Sequence, residues 1–272
     1  MLRKPYLYIL TIFFFCCEEA PDFGTADSAD TPVVDIQTSE TTFTEFPIEI
    51  EWEGNIAARE FIYELQFVDD PSIPHSWSGS DTTSETYINF DNLDEGNYMF
   101  SVQGLYNQDN IGAVETLYFT VDVIPGPALR IYPLNQIVNT GYEFDVYLYF
   151  EEVPVDSAVT GLHVEIQIDQ NELEFISEYY DQGELLKQFG GQTIWPEPDY
   201  SDDNSTMIIN GVADSDGLYG TGPIIKFSLR VLGSGSGTTN INIISVDDSF
   251  LNMDGEPIEF GDPVSGSVTV EE

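Results

Sequence analysis

The chain has 272 residues, enough for two ordinary domains that each bury a core. It carries 49 acidic residues against 7 lysines and arginines, a net charge of -42. So few basic residues exclude nucleic acid as a partner and disfavour an anionic membrane surface, because little is available to neutralise phosphates. An aromatic content of 13% with only two histidines favours β-structure and a binding or structural role over catalysis.

The start of the chain, residues 1–17, has the pattern of a secretory signal peptide. Two basic residues precede an apolar run, ending at Phe15, that is too short to span a bilayer comfortably. The run leads into Cys16 and Cys17 and resembles a bacterial lipoprotein signal, although Phe15 stands where that family usually has a small residue. The resemblance implies lipidation at Cys17, or alternatively at Cys16. Residues 18–31 are polar and aperiodic, which predicts a flexible acidic tether.

We therefore expect an exported protein, an outer-membrane or cell-surface lipoprotein whose only membrane attachment is an N-terminal lipid anchor. The two adjacent cysteines are the only ones in the chain, so no disulfide is available to stabilise either domain.

Short alternating segments separated by Gly, Pro, Asn and Asp characterise residues 32–124, which predicts an all-β sandwich. The most specific feature is Leu93, a turn with glycine, and Tyr98 at the start of an alternating strand. This pattern resembles the tyrosine corner of fibronectin type III and immunoglobulin-like domains. The resemblance implies a hydrogen bond from the Tyr98 hydroxyl to nearby backbone, a core position for Trp52, and a spacer or weak adhesion role. The predicted strands are 48–52, 61–67, 86–90, 98–102 and 117–121.

A Pro-Gly-Pro connector at residues 125–127 separates this unit from a second one, residues 128–272. The second unit also alternates with period two and lacks long helical periodicity. About nine strands are expected, which predicts a jelly-roll sandwich and an all-β chain of two sandwich domains. The clearest segments are 129–132, 141–150, 162–169, 173–176, 206–210, 225–231, 241–246 and 266–270.

The order of motifs along the second unit resembles that of cohesin domains. The resemblance implies a nine-stranded jelly roll that binds a dockerin-like protein through one sheet face. The similar fold of certain carbohydrate-binding modules implies polysaccharide as the other ligand. His163, Glu165 and Gln167 would face outward and supply one strand of the binding face. Ile168 departs from the tyrosine that many cohesins have before the aspartate. The motifs are Gly141, 161–169, 173–175, 222–227, the glycine-rich turn 233–237, Asp254-Gly255 and 266–270.

Aromatic side chains suggest a second way to bind a glycan. Trp195, Tyr200, Tyr179 and Tyr180, with neighbouring carboxylates, could form a platform that stacks on a sugar ring. The alternative is a proline-rich loop whose aromatic rings cover the edge of the core.

Acidic loops raise the question of calcium, a hard cation that prefers oxygen ligands. The alternative without a metal is a solvated acidic surface with ordinary aspartate turns. An EF-hand is excluded because Val212 and Phe250 occupy the first loop position of the two partial matches. The sequence requires no cofactor. The alternative to ordinary aspartate turns is a calcium site assembled from separate loops. Its candidate ligands are Asp214, Asp216, Asp247, Asp248 and Asp254.

Catalysis finds little support in the motifs. The turn 233–237 lacks a serine at the centre of a Gly-x-Ser-x-Gly elbow. Carboxylate pairs suited to glycoside hydrolysis are uninformative in so acidic a chain. The sequence thus predicts a non-catalytic cell-surface binding protein. The alternatives are a structural or adhesion component of the envelope and, less favoured, a glycan hydrolase with a deep cleft.

Overall fold

The computed structural model describes residues 31–69, 79–107, 110–183, 185, 196–213, 217–233, 237–245, 250–252 and 254–271. Strands dominate these residues, which confirms the all-β class predicted from the alternating sequence. Buried side chains form two main clusters, one drawn from residues 34–132 and the other from residues 129–270. The signal peptide, both cysteines and the tether lie outside the described residues.

The first sandwich consists of two sheets, ordered β1-β3-β6 and β2-β8-β7-β4-β5. Trp52 is buried between them, with ring centroids 5.7 Å from those of Phe61 and Phe100. The Tyr98 hydroxyl donates to the backbone oxygen of Asp94 at 2.8 Å, the bond that the tyrosine-corner pattern predicts. The strands are β1 (Val34–Ile36), β2 (Thr42–Phe43), β3 (Ile48–Gly54), β4 (Glu60–Phe67), β5 (Gly79–Thr83), β6 (Tyr87–Phe90), β7 (Gly96–Asn107) and β8 (Asn110–Val121).

The second sandwich also has two sheets. One runs β13-β16-β11-β9, and the other β10-β19-β17-β12-β15-β14, with β18 pairing β12. The strands are β9 (Ala128–Tyr132), β10 (Asn135–Asn139), β11 (Glu143–Val153), β12 (Gly161–Ile168), β13 (Leu173–Gln182), β14 (Asp199–Tyr200), β15 (Thr206–Val212), β16 (Gly220–Val231), β17 (Gly237–Ser245), β18 (Phe250–Leu251) and β19 (Gly266–Glu271).

Period-two alternation sets the inner faces of these sheets. Val146, Leu148 and Phe150 of β11 are fully buried, and so are Val164 and Ile166 of β12. The two strands belong to opposite sheets and share one core. The side chains between the buried positions must therefore point away from the core, and those of β12 form part of an outer face.

A junction, formed by residues 92–95 and 123–135, joins the two sandwiches. Glu95 Oε1 accepts from the backbone N–H groups of Val123 and Ile124 at 2.6 and 2.5 Å. Asp94 Oδ1 accepts from the backbone of Leu134 at 2.6 Å. Tyr132 belongs to the core cluster of the first sandwich, although it lies in β9 of the second. Hydrogen bonds and packing thus hold both ends of the junction, while Pro125 and Gly126 of the connector are exposed.

Candidate functional site

The outer side of β17, β12, β15 and β14 forms a continuous surface, here called the β12 face. Each cross-strand pair puts both side chains on the same side of the sheet, so the register identifies its members. Glu165 pairs with Ile208, which also pairs with Asp199, and Gln167 pairs with Thr206 and Asn242. The face comprises His163, Glu165, Gln167, Asp199, Thr206, Ile208, Asn210, Val212, Asn240, Asn242 and Ile244.

The β12 face carries fewer charged side chains than the outer side of the opposite sheet. Glu165 and Asp199 are its only carboxylates, and it contains no lysine or arginine. Amides and threonine provide hydrogen-bonding groups, while Val212 and Ile244 are 57% and 45% exposed. Few charges and exposed apolar side chains are typical of the centre of a protein interface.

The opposite sheet shows the contrasting pattern on its outer side. Arg230 bonds Glu143 at 2.5 Å and Glu174 at 2.9 Å, which raises the pKa of the guanidinium. Lys226 lies 2.6 Å from Asp145. These charges pair among themselves on a solvated surface, where ion pairs contribute little to stability.

His163 lies near the middle of the β12 face and organises its polar groups. Its Nδ1 is 2.7 Å from Asn210 Oδ1 on β15, and its Nε2 is 3.4 Å from Glu165 Oε1. The first distance is that of a hydrogen bond between the imidazole and the amide. His163 therefore joins an amide on β15 to a carboxylate on its own strand and holds both side chains on the face.

The structure places the predicted binding residues of β12 outward, as the alternation requires. His163 and Glu165 are half-buried and Gln167 is exposed. The other members of the face were not identified from the sequence. The available signal was that the outward positions of β15 and β17 are Thr, Asn, Ile and Val, with no charge among them.

The predicted aromatic platform is only partly described. Tyr200 pairs with the buried Met207, and its ring lies 5.7 Å from that of Phe175, so it packs against the core. This position fits the alternative in which the aromatic rings cover the core edge. Tyr179 and Tyr180 lie in β13, with side chains outside the described set, and Trp195 lies outside the described residues.

The candidate calcium ligands are likewise mostly outside the described residues, and only Asp254 is inside them. Its backbone N–H donates to Asn252 Oδ1 at 2.9 Å, as in an ordinary asparagine turn. The described part of the chain contains no group of three or more metal-binding side chains. Calcium binding at the remaining aspartates stays a prediction.

Within the described ranges, no helix is long and apolar enough to cross a membrane.

Comparison with known proteins gives a mixed result. No family model and no curated protein matches the sequence. The structure is similar to solved cohesin domains. One is a non-cellulosomal cohesin of Archaeoglobus fulgidus, at 16% identity over 53% of this chain and 91% of that chain, with a TM-score of 0.42. Another is the sixth cohesin of Acetivibrio cellulolyticus scaffoldin B, in complex with a Cel5 dockerin mutant. It is 15% identical over 54% of this chain and 100% of that chain, with a TM-score of 0.44.

A third is the OlpC cohesin of Clostridium thermocellum, in complex with the dockerin Doc435. It is 18% identical over 54% of this chain and 95% of that chain, with a TM-score of 0.42. Similarity at these values assigns neither a ligand nor the role of any single residue.

Proposed function

We propose that this chain is a non-catalytic, exported binding protein whose second sandwich binds a partner protein through the β12 face. The observation that carries the proposal is the contrast between the outer sides of the two sheets. The β12 face exposes Val212 and Ile244 among amides and two carboxylates, whereas the outer side of the opposite sheet carries three carboxylates paired with Lys226 and Arg230. The β12 face can therefore be dehydrated at lower cost than the outer side of the opposite sheet.

The groups on the face suit protein recognition. Burying the exposed parts of Val212 and Ile244 would contribute about 1 kcal/mol each. Asn210, Asn242 and Gln167 offer amide donors and acceptors that fix the orientation of a partner. The motif order along the second unit resembles that of cohesins, and it favours a dockerin-like partner on this sheet face.

The long-range field of the chain adds a preference for the partner's charge. A net charge of -42 attracts basic proteins and repels acidic ones over about a Debye length. The proposed partner therefore has a basic surface around an uncharged contact patch. The lipoprotein-like signal at Cys17 would hold the complex at the cell surface, with the first sandwich as a spacer.

The experiment is affinity capture with the full chain as bait, against the secreted and envelope proteins of the source cells. Proteins retained are identified by mass spectrometry, with calcium and with a chelator. A dockerin-like partner carrying calcium repeats is expected to be retained with calcium and lost with the chelator.

Matched variants test whether the β12 face is the contact. Val212→Asp and Ile244→Asp place a charge on the face, while Val114→Asp places one at a 55% exposed valine on β8 of the first sandwich. The partner should be retained by the wild type and by Val114→Asp, and lost from the two face variants. Retention by all variants would place the contact elsewhere, and retention of no protein would leave the proposal without support.

A further inference from the structure

The first sandwich presents an outer surface formed by β7 and β8. Odd-numbered residues of β7, from Asn97 to Leu105, alternate with buried core positions such as Phe100, so their side chains point outward. Cross-strand pairing adds their partners on β8, from Thr120 to Ile111. These ten residues are here called the β8 face.

The β8 face combines exposed apolar side chains with an absence of charge. Tyr118 is 63% exposed, Val114 and Ile111 are exposed as well, and Met99 is half-buried beside Tyr118. They are exposed in the complete chain, so the second sandwich does not cover them. The ten described residues of this surface include no Asp, Glu, Lys, Arg or His. A run of exposed apolar side chains along one side of a strand is typical of a protein contact.

The other outer side of the same sandwich is strongly acidic. Glu49, Glu51 and Glu53 alternate along β3 with buried residues, and Glu53 pairs with Asp35 of β1. Two copies that met through this side would bring like charges together, which is unfavourable. A basic protein would be attracted to the acidic side and away from the uncharged one. The β8 face is therefore the side of the first sandwich on which two copies can meet without such repulsion.

The groups on the β8 face are also suited to contact with themselves. A two-fold interface brings the same surface of each copy together, so each group must suit a group of its own kind. The amides of Asn97 and Gln103 and the hydroxyl of Thr116 both donate and accept hydrogen bonds. Tyr118 and Val114 provide apolar surface that can pack on its counterpart. A carboxylate, by contrast, only accepts and repels its own kind.

We propose that the β8 face is a contact between two copies of this chain. The surface measures about 27 Å along the strands and about 10–15 Å across them. A standard interface buries about 800 Å² per partner, so the dimer is weak and depends on concentration. The inference does not rest on binding of a partner at the β12 face, because the two surfaces belong to different sandwiches.

The first test is sedimentation equilibrium of the full chain from about 10 μM to about 1 mM. The weight-average mass should rise from 30.4 kDa towards twice that value. Raising the salt concentration should strengthen the association, because salt screens the repulsion between two chains of net charge -42. A mass that stays at 30.4 kDa over the whole range, or association that weakens with salt as ion pairs do, would overturn the proposal.

Matched substitutions locate the contact. Tyr118→Asp and Val114→Asp place a charge on the β8 face and should abolish the rise in mass. Tyr87→Asp, at a 47% exposed tyrosine paired with Glu51 on the acidic side, is the control and should associate as the wild type. The thermal midpoint of each variant shows that it is folded. Association of Tyr118→Asp, or an equal loss with Tyr87→Asp, would refute the β8 face as the contact.

Amide NMR of the wild type tests the same surface without a substitution. Shifts that depend on protein concentration should concentrate at residues 97–105 and 111–120, and shifts confined to other regions would contradict the proposal. The capture experiment separates this contact from the β12 face. Val212→Asp should lose the partner and still associate, whereas Val114→Asp should retain the partner and stay monomeric, so each proposal can fail alone.

Discussion

Glu95 is buried at the junction, and its ionisation should oppose the folded state. The side chain is 9% exposed and accepts from the backbone N–H groups of Val123 and Ile124. Burial raises the pKa of Glu95 from 4.5 to about 7, with the nearby Glu151 adding to the rise, while the two backbone donors and Arg130 oppose it. Replacing Glu95 by glutamine keeps an oxygen that can accept both bonds and removes the charge.

The difference in the pKa of Glu95 between the folded and the unfolded chain determines how the free energy of unfolding depends on pH. Between pH 4.5 and about 7 the folded protein holds a proton on Glu95 that the unfolded chain has lost. The free energy of unfolding should therefore fall as the pH rises through that interval. The difference between 4.5 and about 7 corresponds to roughly 3 kcal/mol, at about 1.4 kcal/mol per pH unit.

The assay is urea unfolding of the full chain at pH 5, 6, 7 and 8. Glu95→Gln should match the wild type at pH 5 and exceed its free energy of unfolding at pH 8 by up to roughly 3 kcal/mol. Glu115→Gln, at an exposed glutamate, controls for the loss of one negative charge. If Glu95→Gln is less stable than the wild type at pH 8, the two backbone donors outweigh burial and the reasoning is wrong.

Three other expectations concern single side chains. Tyr98→Phe removes the hydroxyl bond to Asp94 and should lower the free energy of unfolding by about 1 kcal/mol, measured by urea denaturation; no change would mean that the bond is not stabilising. Leu148→Ala empties a fully buried position and should cost about 2–5 kcal/mol in the same assay. Asp203 accepts from the hydroxyl of Ser201 and from the backbone and hydroxyl of Ser205, which lowers its pKa to about 2, so carboxyl NMR should show a midpoint near that pH. The stability it adds is present above its ordinary pKa of 3.8 and is lost as the pH falls through about 2.

Local patterns were sufficient to predict the all-β class and several contacts. Alternation alone identified the buried side of β11 and β12, because a one-residue shift would place every apolar side chain in water. The Tyr98 bond spans four residues, so the turn and its glycine determine it locally.

Features that depend on docking of distant segments were not predicted. The short strand β10 pairs in parallel with β19, about 130 residues later, and its own sequence is only weakly alternating. Arg130 alternates with the core residues Leu129 and Ile131 in β9, yet it is buried because the first sandwich packs over that strand.

The two sheets of the second sandwich have different surroundings, and this difference bears on function. The outer side of β9 and β11 contributes Tyr132, Tyr147 and Tyr149 to the core cluster of the first sandwich. On the outer side of the same sheet, Lys226 and Arg230 of β16 pair with Asp145 and Glu143 of β11. With that side occupied, the β12 face is directed away from the first sandwich. Packing of the first sandwich on the aromatic sheet thus leaves the β12 face accessible, as the proposed partner binding requires.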